Sequence, residues 1–128
     1  MKLSLIIPTY NRPNDIMRLL RNLNHQNKKP DEVIIVDASD TDKTKQIIES
    51  NKKCFAYPLS YYGHAKGLTR QRNFGISKAH YEIIGFTDDD SLFEPDYLAR
   101  IVGIFENDKA EEIGGASGIT FDVGPSNI

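Results

Sequence analysis

Short apolar runs alternate with helical stripes along this chain, and that alternation limits the folds open to it. Leu3-Ser4-Leu5-Ile6-Ile7 reads as a strand apolar on both faces, stopped by Pro8. Glu32-Val33-Ile34-Ile35-Val36 reads as a second, ending in Asp37, and Ile83-Ile84-Gly85-Phe86-Thr87 as a later one, ending in Asp88-Asp89-Asp90. Strands without a polar face belong in parallel sheets covered on both sides. Between the first two, Ile16, Leu19, Leu20 and Leu23 recur at i, i+3, i+4 and i+7, which predicts a helix from about Pro13 to Asn24. A second helix is expected after Asp40 or Thr41, with Ile47 and Ile48 turned inward. A third is expected over 67–76, with Leu68, Ile76 and Ala79 near its core face, and a fourth from Glu94-Pro95 to Asn107-Asp108 on Leu98, Ile101, Val102 and Phe105. Cys54 to Tyr57 is a candidate short strand, and Ile113 to Phe121 a candidate last one. The resulting order implies an α/β fold: a mostly parallel sheet with helices on both faces and right-handed crossovers.

In such sheets ligands bind beyond the carboxyl ends of the strands. Three polar tips fall there together: Thr9 to Arg12, Asp37 to Asp40, and Asp88 to Asp90. Three adjacent carboxylates repel one another unless a cation or a set of donors compensates. Hard oxygen ligands suit Mg²⁺ or Mn²⁺, which keep several waters and take further ligands from substrate phosphates. Taken alone, the acidic triplet also fits a solvated turn before the next helix. Tyr61 and Tyr62 read as packing residues, His25 and His64 as ordinary surface histidines, and Cys54 as a small buried core residue.

Composition narrows the classes. A chain of 128 residues with 39% hydrophobic and 27% charged content fits one soluble globular domain. Sixteen basic residues against eighteen acidic ones give a net charge of −2, which argues against a nucleic-acid binder that relies on bulk positive charge. A single cysteine excludes an intrachain disulfide and fits a reducing compartment. The apolar run Leu3 to Ile7 is too short for a signal-peptide core, and no run approaches the roughly 18 residues of a membrane span. A cytoplasmic location is expected, with peripheral attachment to the inner face of a membrane left open.

Four stretches, in this order, resemble the nucleotide-binding half of a family 2 glycosyltransferase with the GT-A fold. They are Ser4-Leu5-Ile6-Ile7-Pro8-Thr9-Tyr10-Asn11-Arg12, then Glu32-Val33-Ile34-Ile35-Val36-Asp37, then Gly67-Leu68-Thr69-Arg70-Gln71-Arg72-Asn73-Phe74-Gly75-Ile76, then the strand ending in Asp88-Asp89-Asp90. The resemblance implies an inverting transfer of a sugar from a nucleotide-diphosphate donor, a UDP-sugar as first expectation, to a hydroxyl of a glycan or lipid-linked acceptor. It places Pro8, Thr9, Tyr10, Asn11 and Arg12 around the nucleoside, with Tyr10 near the base and Asp37 bonded to base or ribose. It puts Arg70, Arg72 and Asn73 near the nucleotide or against the acidic loop. Asp88 and Asp90 match the family's Asp-x-Asp, which binds Mn²⁺ or Mg²⁺ and the ribose or diphosphate, with Asp89 in the middle position.

Two departures qualify this. Many members carry a second acidic or amide residue after the second-strand aspartate, where this chain has Ala38. The family's catalytic domains also continue into an acceptor half that carries the general base. Asp122 is a poor substitute, so the base is expected beyond residue 128 and the chain reads as a truncated, donor-binding piece, 1–128. A non-catalytic nucleotide-sugar-binding module is the alternative. A nucleotidyltransferase would need a glycine-rich basic loop after the first strand, and a receiver-type phosphorylation domain a lysine loop; neither can be placed here. A sheet cut short would expose an edge, from which a homodimer is a further expectation.

Overall fold

The structure is a computed structural model and describes residues 1–117. Its centre is β1 (Leu3–Thr9), buried along its whole length because it has a parallel partner on each side. β2 (Glu32–Asp37) pairs with one edge of β1 and β4 (Ile83–Phe86) with the other, while β3 (Leu59–Gly63) adds outside β2. All pairings are parallel and the strand order is β3-β2-β1-β4.

Strand parity divides the core into two layers. Leu3, Leu5, Ile7, Val33, Ile35 and Ile83 face a large cluster completed by α1 (Pro13–Leu23), α2 (Lys43–Asn51) and α4 (Tyr97–Glu106). The predicted α1 stripe is fully buried there, so Leu20→Ala would cost about 2–5 kcal/mol through lost transfer energy and a residual cavity. Among the described residues the opposite layer is thin: Ile6, Ile34 and Val36 meet Phe74 and Ala79 from the single helix α3 (Leu68–Lys78) and its C-terminal end.

Several expectations change at this level. Leu68 and Ile76 are exposed, and α3 instead buries Gln71 and Gly75. A Cβ at Gly75 would stand 2.4 Å from Ile6 Cγ2, so the helix seats on β1 through its smallest residue rather than through an apolar stripe. The third strand is not 54–57. A 3₁₀ turn, Lys52–Cys54, closes α2 and leaves Cys54 exposed rather than in the core. Tyr57 is buried by side-chain packing, its hydroxyl donating to the Leu20 carbonyl at 2.6 Å.

Among the described residues β4 is a short edge strand with Phe86 exposed, not a strand covered on both faces. α4 starts two residues after Pro95. Buried Gln26, just past α1, donates to the Glu94 carbonyl at 2.7 Å and accepts from the Leu98 amide at 3.1 Å, while Asn22 brackets Phe93 through both its amide and its carbonyl. Residues 113–117 form no strand; the rest of that candidate strand lies outside the described residues. No helix among the described residues is long and apolar enough to cross a membrane.

Candidate functional site

The carboxyl ends of β1 and β4 and the start of α3 enclose a cleft of about 450 Å³. Pro8, Thr9, Tyr10 and Arg12 form one wall, Lys66, Gly67, Leu68 and Gln71 another, and Asp88, Asp89 and Asp90 the third. Parallel pairing puts the tips on one side: Thr9 lies beside Asp37 in register, and the Thr87 amide donates to the Ile6 carbonyl at 3.2 Å, delivering the acids next to the β1 tip.

The triplet is not uniform. Asp89 is buried and turned inward, where Thr9 Oγ1 donates to it at 2.8 Å and Arg12 approaches at 3.4 Å. Burial pushes its pKa above the ordinary value, against the pull of the Thr9 bond and the Arg12 charge. Asp88 and Asp90 are exposed to the cleft, the first paired with Arg72 at 3.6 Å and the second with Arg12 at 3.6 Å. Among the described residues no cluster of three acidic, histidine or cysteine side chains could hold a metal by itself. Two exposed carboxylates at an open cleft, each with only a long arginine contact, do fit Mg²⁺ or Mn²⁺, because such ions bind through one or two protein carboxylates and fill their shell from phosphate and water. Asp88 and Asp90 are the side chains that would hold the ion.

Asp37 is placed differently from the other candidates. It is buried at the tip of β2, outside the cleft lining, and accepts bonds from the Ser39 amide at 2.9 Å, the Ser39 hydroxyl and the Tyr61 hydroxyl. Burial, then the bond to Asp37, raises the Tyr61 phenol well above its usual range. Asn11 adopts φ +52° and ties two loops together: its amide donates to Ser39 Oγ at 2.8 Å, its Nδ2 donates to Asp40 at 2.8 Å, and its Oδ1 accepts from the Asp40 amide at 2.9 Å. Tyr10 donates its hydroxyl to the same Asp40 carboxylate at 2.8 Å. The bonds from Asn11 and Tyr10, with the Lys66 charge nearby, hold Asp40 below the usual carboxylate range. Arg72 reaches the acids; Arg70 and Asn73 are exposed on α3 and do not line the cleft.

Gln71 entered only as part of the third motif and Asp40 only as the end of a polar tip or a helix start, while Lys66 was not singled out. Gln71 is buried and donates to the Thr9 carbonyl at 3.1 Å and the Val36 carbonyl at 2.9 Å, binding the first turn of α3 to two strand tips. Its polarity at the start of a helix that must cover the sheet was the signal available for it. Lys66 places Nζ 4.0 Å from the centre of the Tyr10 ring.

The sequence matches the glycosyl transferase family 2 profile over residues 4–126. The chain belongs to that family. An uncharacterized glycosyltransferase of Haemophilus influenzae is 30% identical over 106 residues, which is 81% of this chain and 34% of the relative. The Staphylococcus aureus poly(ribitol-phosphate) beta-N-acetylglucosaminyltransferase TarS is 34% identical over 101 residues, 77% of this chain and 18% of TarS. A structure of TarS residues 1–349 with UDP-GlcNAc superposes with a TM-score of 0.70 at 31% identity, covering 83% of this chain and 31% of that one. A mannosyltransferase of Pyrobaculum calidifontis, in complex with GDP-Man and Mn²⁺, superposes with a TM-score of 0.68 at 30% identity, covering 79% of this chain and 31% of that one. The chain thus spans about a third or less of these proteins. Its fold is of the GT-A type, as the resemblance implied.

Proposed function

We propose that this chain is the donor-binding part of a divalent-metal-dependent glycosyltransferase that moves a sugar, with inversion, from a nucleoside diphosphate to an acceptor hydroxyl. The observation that carries the reading is the split of the acidic triplet: Asp88 and Asp90 face the cleft while Asp89 is anchored to Thr9. The two exposed acids would hold the ion, and Tyr10 on the facing wall offers an aromatic ring to a planar base. When bound, Mn²⁺ or Mg²⁺ neutralises charge that grows on the leaving diphosphate. Arg12 and Arg72, already against these acids, are placed to follow that charge.

The two neighbours with bound nucleotide sugars support the donor class, and the one with Mn²⁺ supports the metal. A UDP-sugar is the first expectation, and a hydroxyl of a glycan or lipid-linked molecule is the acceptor that the family resemblance suggests. The acceptor base is expected outside these residues. The deciding experiment is calorimetric titration of UDP and GDP, with and without Mn²⁺, into the wild type, Asp90→Ala and Asp88→Ala. Mn²⁺-dependent binding, weakened about tenfold or more by either substitution, is the expected result. A folded chain that binds neither nucleotide in Mn²⁺ would overturn the proposal.

A further inference from the structure

Lys66 sits on the β3–α3 connection, exposed, one residue before Gly67, and shares the cleft with Tyr10 and the acidic triplet. Its Nζ lies 4.0 Å from the Tyr10 ring centre, a close cation–π contact. The ring is held in place, because its hydroxyl donates to Asp40 and Asp40 is itself fixed by Asn11. The ammonium therefore covers an aromatic face that a planar base would need.

The other cations near the cleft are committed to carboxylates. Arg12 stands 3.4 Å from Asp89 and 3.6 Å from Asp90, and Arg72 stands 3.6 Å from Asp88. Lys66 is paired with a ring instead, and no ion pair joins it to a carboxylate among the described residues. An exposed cation–π contact shifts an equilibrium by a factor of only about two to five. A phosphate group close by offers a charge-assisted hydrogen bond, which is the stronger partner for a compact ammonium on a flexible stem.

We infer that Lys66 is a donor-specificity residue: it covers Tyr10 and transfers to the diphosphate when the nucleobase takes that ring face. The inference rests on the donor-site reading and adds a residue to it. Exchange of this kind makes the site select for diphosphate. A nucleoside displaces the ammonium toward Asp40 alone, a carboxylate already engaged by Tyr10 and Asn11, whereas a nucleoside diphosphate brings a receiving group of its own.

The test compares wild type, Lys66→Met and Lys66→Arg in Mn²⁺, with UDP, GDP and the matching nucleosides, by calorimetry and by NMR shifts of the Tyr10 ring. Lys66→Met keeps the apolar stem and removes the charge. The diphosphate should bind about tenfold more weakly to it, while the nucleoside binds equally well or a few-fold better, so that their affinity ratio falls by about tenfold or more. Lys66→Arg should recover most of the diphosphate affinity. Loss of the same factor for nucleoside and diphosphate, or an unchanged ratio, would overturn the role of Lys66 while leaving the donor site standing. A wild type that binds neither diphosphate overturns the donor site, and this inference with it.

Discussion

Two carboxylates are buried at opposite ends of the same sheet, and their surroundings pull them in opposite directions. Glu32, at the start of β2, accepts from Ser4 Oγ at 2.6 Å, the His80 amide at 2.7 Å and His80 Nδ1 at 2.9 Å. Burial alone would raise its pKa, but the Ser4 and His80 bonds outweigh burial and leave it lowered. Asp89, at the tip beyond β4, has one short hydrogen bond from Thr9 and a longer one from Arg12, and there burial wins. A carboxylate surrounded by donors serves the fold. One with fewer donors, beside two exposed acids, belongs to a place kept ready for charge.

The strongest way to break this comparison is Glu32→Ala, which strands the Ser4 hydroxyl and the His80 amide and frees the His80 ring; a loss of about 3 kcal/mol in denaturant unfolding is expected. Glu32→Gln tests the ionised form. A lowered folded pKa means that the carboxylate's contribution is complete above its ordinary value of 4.5 and disappears as pH falls through the lower folded value. The wild-type advantage over Glu32→Gln should therefore be largest near neutrality and shrink below about pH 4.5. Equal stability of the two at pH 7 would remove Glu32 from the structural role.

Thr9→Val deletes the donor to Asp89 without changing shape much, and a loss of about 1–2 kcal/mol is expected, with Mn²⁺-dependent nucleotide binding weakened as Asp89 loosens. The smallest effect is expected from His80→Ala. Its ring is mostly exposed, and the backbone amide keeps its own bond to Glu32, so a change under about 1 kcal/mol should appear in the same unfolding assay.

Much of the frame could be read directly. β1 and β2 were located because buried parallel strands leave uninterrupted apolar runs, β4 because its run is apolar although only Ile83 is buried, and α1 because its stripe is regular. α3 escaped that logic, since a helix that packs through Gly75 and Gln71 shows no apolar period and leaves Leu68 and Ile76 outside. β3 was displaced because Phe55 and Tyr57 carry the aromatic weight of a strand while stacking outside it, and Leu59–Gly63 is an edge. The acidic tip and the Thr9–Arg12 loop were legible from strand ends alone. Asp40 and Lys66 were not, because their meaning lies in contacts with Tyr10 from other loops, which no local spacing encodes.

The brackets that Asn22 and Gln26 place around the segment before α4 have a mechanical consequence for the acids. The Thr87 amide is fixed to β1 and the Phe93 amide to Asn22, so only residues 88–92 hang between two anchors, and Thr9 pins Asp89 within that span. With Asp89 tied at its middle, the span keeps Asp88 and Asp90 beside the cleft, so a cation entering it would be met first by rotation about their χ angles, on the nanosecond scale.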